Sequence, residues 1–368
     1  MYNVQLEEFC KAYNLGEVIE TSLFPIGVAN RTYYVETTAG KYVIKAINPA
    51  KVKKKRKIKR LEIAEHIAEI ANQNGIPSVL AKRINGKFIT EFHSQHYIVF
   101  DFFEGKVIHL NNITTENCFK VGQVLASLHC VNFKKILERD IPENKYGKKL
   151  EAEIDWNDYL EGVSKQAPDW LGLFRENVPL LYEMFELSYE TYLNFVPQDR
   201  VISHGDVSNL NMMWLDDVPY LIDWETSGFI DATYECLYTA IRFSNQKVAS
   251  KQYERFIDMD KIYAFLKGYI EKRDLNIKNL EIALYMIYYK RFSILQRNLQ
   301  KYVAAEDEAE RQRTERIIVP FLAMMKPYSD FSDRLEEIKQ FVMNLQIERQ
   351  KEKKFSIKSF FRKVLNLK

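Results

Sequence analysis

The sequence lacks the features that mark secreted, membrane-spanning and zinc-binding proteins. Its four cysteines are scattered without a CxxC spacing, so neither a disulfide framework nor a zinc site is expected. No uninterrupted apolar run approaches the length of a membrane span. The first 20 residues include Glu7, Glu8 and Glu17, which a signal peptide would not carry. We therefore expect a cytoplasmic protein.

Two glycine-dependent nucleotide-binding patterns are also missing. The sequence contains neither GxxxxGK[ST] nor GxGxxG, so P-loop and dinucleotide-binding folds have no support. What is present is ordinary for a globular chain, with 46% hydrophobic and 28% charged residues. A chain of 368 residues is long enough for two domains, or for one domain in two lobes.

The net charge of +3 is unevenly distributed along the chain. Residues 51–60 contribute +8 and residues 348–368 contribute +6, which leaves −11 for the remainder. An acidic body suits neutral or cationic small molecules better than nucleic acid, so no nucleic-acid partner is expected. The run at 51–60 is either a solvated connector that starts a helix or a contact for phosphate or acidic lipid.

Residues 203–225 contain the side chains that indicate chemistry. Two short apolar pieces flank a turn at 216–219 and predict a hairpin. Asp206 and Asn211 precede or begin its first strand, and Asp223 follows its second, so the hairpin gathers them. Such oxygen ligands suit magnesium, and a carboxylate left free of the metal could accept a proton from an attacking hydroxyl. The combination indicates phosphoryl transfer.

The first hundred residues predict an antiparallel sheet. Three strands are expected at Val18–Phe24, Arg31–Thr37 and Lys41–Ile47. Lys45 lies within the apolar third strand, where an ammonium is costly unless it meets an anion. It is either a strand lysine that reaches solvent from an edge or a phosphate-binding lysine, and its position upstream of residues 203–225 favours the second interpretation.

A helix is predicted from Lys59 to Asn74 by apolar residues at helical spacing. Glutamates lie along one side, and one of them could pair with Lys45. Glu65 is the first choice for this partner and Glu62 is the second.

Two further strands are predicted around 84–89 and 97–100, followed by an aromatic segment that ends at Gly105. Such a segment can act as a hinge whose backbone groups face an adenine. Phe100 and Phe102 are therefore candidate nucleotide-binding residues.

The middle of the chain predicts helices. Thr114 or Thr115 could cap a helix that ends at His129, a histidine more typical of a structural hydrogen bond than of catalysis. Residues 134–175 are charged and aromatic, and they form either an acceptor-binding insertion or a surface helix pair. Residues 236–345 are helical in pattern, and their aromatic stripe at 285–292 is core packing or the wall of an acceptor pocket.

The tail at 348–368 predicts a short basic amphipathic helix. It could contact anionic membrane or a partner protein, or fold back on the protein, and the sequence leaves these alternatives open.

The motifs together resemble those of the aminoglycoside phosphotransferase and choline kinase superfamily. The shared features run from about Gly27 to Glu235, and the spacing of the HGD-x4-N and IDW motifs carries most of the signal. The matching residues are His204-Gly205-Asp206, Asn211, Ile222-Asp223-Trp224-Glu225, Lys45, Gly27, Asn30, Tyr33 and Gly75-Ile76-Pro77. The chain departs from the pattern at Ser208-Asn209-Leu210 and at Asp231-Ala232, which puts the substrate in doubt more than the activity.

This resemblance implies an α+β, bilobal protein-kinase-like fold with a small antiparallel-sheet N-lobe and a larger, mainly helical C-lobe. The expected divisions are 1–103 for the N-lobe, 104–330 for the C-lobe, and 331–368 for a C-terminal helix and basic tail.

The resemblance also implies residue roles with ATP and Mg2+ as cofactors. Asp206 would be the catalytic base, while Asn211 and Asp223 would hold magnesium. Lys45 and Glu65, with the Gly27 loop, would bind the nucleotide. His204 and Gly205 would support the loop structurally.

The expected function is an ATP- and Mg2+-dependent kinase for a hydroxyl of a small molecule, such as an amino-sugar, an amino-alcohol or a related metabolite. The alternative is a catalytically idle scaffold, as in the spore-coat relatives of the superfamily. A protein kinase is disfavoured, because no APE-type segment follows Asp223.

Overall fold

The computed structural model describes residues 2–24, 30–52, 55–134, 136, 138–248 and 252–365. The strands are β1 (Val18–Leu23), β2 (Arg31–Thr37), β3 (Gly40–Ala46), β4 (Ile89–Phe92), β5 (Gln95–Asp101), β6 (Arg200–Ser203), β7 (Met212–Leu215), β8 (Val218–Leu221), β9 (Gly228–Asp231), β10 (Asn245–Lys247) and β11 (Arg255–Ile257). The helices are α1 (Tyr2–Ala12), α2 (Lys55–Gln73), α3 (Thr115–His129), α4 (Trp156–Ser164), α5 (Leu171–Asn194), α6 (Ala232–Ser244), α7 (Met259–Ile270), α8 (Leu280–Ala304), α9 (Glu308–Leu322), α10 (Met325–Asp333) and α11 (Leu335–Leu365).

The chain forms two compact units, and each draws on several segments. The first contains Met1–Ile108, Val131–Glu143 and Ile202–Phe229. The second contains the remaining segments, from His109 to Lys368. The first unit therefore includes the hairpin at residues 203–225, and the predicted lobe boundaries after residues 103 and 330 stay a prediction.

The first unit is built on a five-stranded sheet with the order β1-β2-β3-β5-β4 and antiparallel neighbours. Alternate residues of each strand face opposite sides, so the sheet has two distinct faces. One face packs against α1 and forms a core whose apolar side chains leave the solvent. Its buried members are Leu6, Phe9, Cys10, Leu15, Tyr33, Val35, Tyr42, Ile44, Tyr97 and Val99.

The opposite face of the sheet packs against α2. Ile58 and Leu61 of this helix contact a buried cluster that includes Ile98 of β5. The helix is also tied to β4 by Glu62, whose carboxylate accepts hydrogen bonds from the backbone N–H groups of Phe88 at 3.3 Å and Ile89 at 2.7 Å. Glu62 is therefore a structural tether between α2 and β4.

The predicted α+β class, with an antiparallel sheet followed by a mainly helical region, is confirmed. The first three predicted strands are present, but the strand predicted at 84–89 is wrong. Asn85 and Gly86 have φ of 51° and 80°, which makes a turn in which only Ile84 and Lys87 pair. The fourth strand begins after that turn, at Ile89.

The hairpin formed by β7 and β8 in the first unit has a two-residue loop. Asp216 and Asp217 have φ of 48° and 61°, a left-handed conformation that joins β7 to β8 tightly. Leu221 at the end of β8 hydrogen-bonds to the segment after α2, through its N–H to the Pro77 carbonyl at 2.9 Å and its carbonyl to the Val79 N–H at 3.0 Å. These bonds hold the hairpin beside the segment that follows α2.

The second unit is mainly helical, as the sequence predicts. Thr114 caps α3, since its hydroxyl accepts a hydrogen bond from the Asn117 N–H at 3.1 Å. Helices α3 and α7 approach so closely that an added Cβ would lie 2.1 Å from the Phe265 carbonyl oxygen at Gly122, and 2.0 Å from the Phe119 carbonyl oxygen at Gly268. Both positions therefore require glycine, because any side chain would collide with the backbone of the facing helix.

His129 at the end of α3 lies within a buried network. Its Nδ1 is 2.8 Å from the Tyr269 hydroxyl and its Nε2 is 3.0 Å from a Glu235 carboxylate oxygen. All three side chains are buried, so this histidine is a structural hydrogen-bonding residue within the second unit.

The aromatic residues of the second unit are mostly core. Trp156 at the start of α4 and Trp170 before α5 are fully buried, so they offer no face to an acceptor. In the stripe on α8, Tyr288, Tyr289 and Phe292 are also buried and pack as core. The segment at 134–175 therefore includes a helix and the approach to α5, both anchored by tryptophan.

The C-terminal segment is one helix, α11, whose backbone is continuous to Leu365. Arg349 fixes it to the second unit through a 2.6 Å ion pair with Asp274. The side chains of the predicted amphipathic stripe, from residue 355 onward, lie outside the described residues. Across the described part of the chain, no helix has the length and apolar character to span a bilayer.

Candidate active site

Lys45 and Asp223 form the central contact of the site in the first unit. Lys45 lies in β3, where its backbone neighbours are Thr32 and Ile98. Its ammonium lies 2.6 Å from Oδ1 of Asp223 and 3.9 Å from Oε2 of Glu225. Burial alone would lower the pKa of Lys45, but the two carboxylates outweigh it and hold that pKa above its usual value. The lysine is therefore charged, as a phosphate-binding group must be.

Glu65 of α2 is buried near this pair. Burial raises the pKa of its carboxyl group to about 8, against the opposing effect of the Lys45 charge. Its Oε2 is buried and has no hydrogen-bond partner among the described residues. The sequence predicts an ion pair between Lys45 and Glu65, whereas in this structure the lysine pairs with Asp223. Of the two candidate glutamates, Glu65 is the one near Lys45, while Glu62 binds the β4 backbone.

Glu225 is an acidic member of the site to which the sequence analysis assigns no role. It lies within the turn that follows Asp223, and its Oε2 also accepts a hydrogen bond from Asn30 Nδ2 at 3.4 Å. The oxygen of the same Asn30 side chain accepts a bond from the Asn48 N–H at 3.1 Å, after β3. The sequence feature that could have identified Glu225 is its position as an acidic residue two places after Asp223. The turn between them brings the second carboxylate to the same lysine.

Asp206 and Asn211 lie directly beside each other. Asn211 Nδ2 donates hydrogen bonds to Oδ2 of Asp206 at 2.8 Å and to the Asp206 carbonyl oxygen at 2.9 Å. The amide therefore fixes the orientation of the Asp206 carboxylate. Across the hairpin, the Asn211 carbonyl oxygen accepts the Ile222 N–H at 3.0 Å, which brings Asn211 next to the strand end that carries Asp223.

His204 braces the loop that carries Asp206. Its side chain is fully buried, with Nε2 2.9 Å from the Ile222 carbonyl oxygen and Nδ1 accepting the Asp206 N–H at 3.3 Å. Because Nδ1 accepts, the proton must be on Nε2, which donates to the carbonyl. Thr226 donates from its hydroxyl to the His204 carbonyl oxygen at 2.9 Å. The imidazole thus joins the loop to the end of β8.

Two residues of the site adopt the left-handed backbone conformation. Gly205 has a φ of 78°, which glycine adopts at little cost. Asp223 has a φ of 63°, which is uncommon for a residue with a side chain. Such strained non-glycine residues concentrate at functional sites, where the surrounding structure holds them in place.

The donor chemistry of Asn211 and Asp223 fits magnesium. Asn211 uses its nitrogen for both bonds to Asp206, and its Oδ1 accepts no hydrogen bond from the described residues. An amide oxygen and a carboxylate are hard oxygen ligands of the kind that Mg2+ takes, with water and phosphate oxygens completing its shell. In the described ranges, no group of three or more His, Cys, Asp or Glu residues is arranged for a metal.

A row of apolar side chains crosses the sheet on the same face as Lys45. Val43 pairs with Tyr34 on one side and with Phe100 on the other, two residues from Lys45 along β3. Phe100 is half-buried against the cluster beneath α2. Phe102 is 36% exposed, donates its N–H to the Lys41 carbonyl oxygen at 2.9 Å, and contacts the Tyr34 ring edge-on at 5.2 Å. This row offers apolar faces of a kind that can cover a planar base. Gly27, the other predicted nucleotide-binding residue of the N-terminal segment, lies outside the described residues.

Comparison with known families identifies the family of the chain. The sequence profile described as the phosphotransferase enzyme family (APH) matches residues 20–269, more than half of the chain. The chain belongs to the phosphotransferase enzyme family. The matched range contains Lys45, Glu65, Asp206, Asn211 and Asp223.

The curated relatives of the chain are distant in sequence. A homoserine kinase from Methylobacillus flagellatus is 26% identical over 235 residues, which cover 63% of this chain and 63% of that protein. One from Paramagnetospirillum magneticum is 23% identical over 236 residues, which cover 63% of this chain and 65% of that protein. The chain thus matches less than two thirds of the length of these relatives.

Solved structures of the family share the fold over most of the chain. A spectinomycin phosphotransferase, APH(9)-Ia, in complex with ADP and spectinomycin has a TM-score of 0.64 and 14% identity, covering 89% of this chain and 98% of that one. At this identity the likeness shows the fold alone, and it confirms the predicted phosphotransferase-like architecture.

Proposed function

We propose that this phosphotransferase-family protein is a small-molecule kinase that transfers the γ-phosphoryl group of ATP to an alcohol hydroxyl. The observation that carries the proposal is the gathering of four side chains in one compact unit, namely Lys45, Asp206, Asn211 and Asp223. A cation for phosphates, a fixed carboxylate, and two oxygen ligands are the parts that phosphoryl transfer requires.

Asp206 is proposed as the group that receives the acceptor proton. Its carboxylate is held by Asn211, so it keeps one orientation while a hydroxyl approaches. A base so positioned raises the nucleophilicity of that hydroxyl and takes its proton as the new P–O bond forms. His204 and Gly205 act through Asp206, because they fix the loop on which it lies.

Lys45 is proposed to bind nucleotide phosphates. In the structure its counter-ion is Asp223, and phosphate oxygens would offer an equivalent negative charge. Asn211 and Asp223 would hold Mg2+, which when bound neutralises charge on the transferred phosphoryl group. Tyr34, with Phe100 or Phe102, would cover the adenine.

The acceptor is proposed to be an alcohol of small size, in the range of amino-alcohols, amino-sugars and hydroxy amino acids. Homoserine kinase is the name of the curated relatives, so homoserine is the first acceptor to test. Spectinomycin and choline represent the other two chemical classes.

An ADP-release assay with Mg-ATP tests the function directly. The acceptors would be homoserine, choline, ethanolamine, spectinomycin and simple sugars, each with wild-type protein and with Asp206→Asn. We expect acceptor-dependent ADP release that the variant loses. A wild-type protein that neither binds nor hydrolyses ATP would instead support the idle scaffold, and activity that survives Asp206→Asn would contradict the role of Asp206.

A further inference from the structure

A cavity of about 1030 Å³ lies within the second unit, between the start of α5, strand β11 and helix α10. Helix α10 packs against both of the other elements, and all three belong to the second unit. Sites for small molecules usually have volumes of about 300–1000 Å³. The cavity is therefore large enough for a small organic molecule.

Apolar side chains form much of the cavity wall. Leu173 and Leu180 come from α5, Phe256 and Ile257 from β11, and Phe331 from α10. Phe331 is 1% exposed whereas Phe256 is 46% exposed, so the wall runs from the core of the unit to its surface. An apolar group that enters the cavity leaves water, which favours its binding.

The cations of the cavity wall differ in their partners. Lys326 forms an ion pair with Asp330, and Nε of Arg334 donates to a carboxylate oxygen of Glu337 at 2.8 Å. Arg255 of β11 is half-buried, and it forms no ion pair with a carboxylate in the part of the chain that the structure describes.

The guanidinium of Arg255 has hydrogen-bonding capacity to spare. Its Nη1 donates to Oδ1 of Asn245 at 3.3 Å, whereas a guanidinium carries five N–H donors. Burial, together with the charge of Arg291, lowers the pKa of Arg255. A partly buried cation beside a like charge is costly unless an anion offsets it. An anion bound in the cavity would supply that offset.

The acidic residues of the wall limit the charge of this anion. Glu176 and Glu254 are exposed and also line the cavity. Their carboxylates repel a doubly charged phosphate ester more strongly than a singly charged carboxylate. The planar guanidinium of Arg255 also matches a carboxylate, which can accept two parallel hydrogen bonds from it. The wall therefore favours a carboxylate that is joined to an apolar body.

We propose that this cavity binds an amphipathic carboxylate, with Arg255 pairing to the carboxylate group and the apolar wall receiving the rest of the molecule. The inference goes beyond the proposed function, because it concerns the second unit by itself and requires neither ATP nor an acceptor alcohol. Its test therefore measures binding alone.

Calorimetric titration of the full chain with decanoate tests the proposal, at concentrations below those at which the ligand forms micelles. Decan-1-ol has the same number of carbons without the charge, and acetate has the carboxylate without the long chain. We expect decanoate to bind about tenfold or more tightly than decan-1-ol, the equivalent of one charged hydrogen bond, and acetate to give no measurable binding. Equal affinities for decanoate and decan-1-ol, or no binding of decanoate, would overturn the proposal.

Variants of Arg255 and Phe256 test the two ends of the ligand separately. Arg255→Gln should lower the affinity for decanoate about tenfold or more and leave that for decan-1-ol unchanged, whereas Arg255→Lys should keep part of the preference. Phe256→Ser should weaken both ligands alike, since it removes apolar wall. The control is Arg297→Gln, which removes an exposed arginine of α8 outside the cavity wall and should change neither affinity.

Melting temperatures show whether the variants fold like the wild type. If Arg255→Gln does not fold, the ratio of the two affinities in Arg255→Lys decides, and a ratio equal to that of the wild type contradicts the pairing with Arg255. If Arg297→Gln weakens decanoate binding as much as Arg255→Gln does, the binding is unspecific and the proposal is wrong. These results stand whether or not the protein proves to be a kinase, because no measurement involves phosphoryl transfer.

Discussion

The ammonium of Lys45 and Oδ1 of Asp223 are joined by a 2.6 Å ion pair between the proposed phosphate-binding and magnesium-binding groups. A magnesium ion and a lysine ammonium compete for the same carboxylate oxygen, because both are cations. If Asp223 holds the metal and Lys45 the phosphates, as proposed, binding of Mg-ATP would exchange the partners of both side chains. The ion pair holds both side chains in place until that exchange.

Asp223→Asn should abolish magnesium-dependent ATP binding. The substitution keeps the size of the side chain and its left-handed backbone, but it removes the charge that a divalent cation requires. Titration of a fluorescent ATP analogue with Mg2+ or with EDTA measures the effect. The control is Asp217→Asn in the hairpin turn, which is exposed and has a φ of 61°, similar to that of Asp223. Equal magnesium-dependent affinity in both variants would refute the role of Asp223.

Asp206→Asn should lower kcat by about 10²–10⁴ while leaving the affinity for ATP nearly unchanged. The reason is that the carboxylate acts on the acceptor hydroxyl and not on the nucleotide. Steady-state ADP release and equilibrium nucleotide binding give the two quantities separately. A parallel loss of ATP affinity would indicate that Asp206 belongs to the metal site instead.

Glu65 should make the stability of the nucleotide-free protein fall as pH rises. Its carboxyl group has a pKa of about 8 when folded, against 4.5 as the ordinary value, so between these values the folded state retains a proton that the unfolded state has lost. The free energy of unfolding should therefore decrease from about pH 4.5 to pH 8 and then level off, by about 1.4 kcal/mol per unit of pKa difference at most.

Urea unfolding of wild type and Glu65→Gln at pH 5 and pH 9 measures this dependence. The variant should lose less stability between the two pH values, since glutamine does not titrate. Glu116→Gln, at an exposed glutamate of α3, should retain the wild-type dependence. An identical pH dependence in wild type and Glu65→Gln would show that Glu65 is ionised in the folded protein.

The sequence predicts those parts of the fold that local patterns control. The cap at Thr114 and the hairpin around Asp217 follow from side chains that act on their own backbone, and both are present. The strand expected at 84–89 failed because Asn85-Gly86 favours a turn over an apolar strand. The partner of Lys45 could not be read from sequence, because an ion pair depends on which of several carboxylates the folded chain brings nearest.

Gly122→Ala should destabilise the second unit. An added methyl group would lie 2.1 Å from the Phe265 carbonyl oxygen, so α3 and α7 must separate, at a cost of about 3 kcal/mol. Gly172→Ala is the matched control, because no atom lies within 4 Å of its added Cβ and alanine favours the start of α5 by up to about 0.5 kcal/mol. Denaturant unfolding should thus give shifts of opposite sign, and a neutral Gly122→Ala would contradict the close helix crossing.

The first compact unit is interrupted twice by segments of the second, and this has a consequence for how the protein is made. Lys45 and its counter-ion Asp223 are 178 residues apart in the chain. At about 5–20 residues per second, the ribosome needs roughly 10–40 s to pass from one to the other. During that interval the sheet emerges with an unneutralised lysine and without its hairpin. The nascent N-terminal sheet must therefore wait until residues 109–130 and 144–201 of the helical unit have been synthesised before the proposed phosphate site is complete.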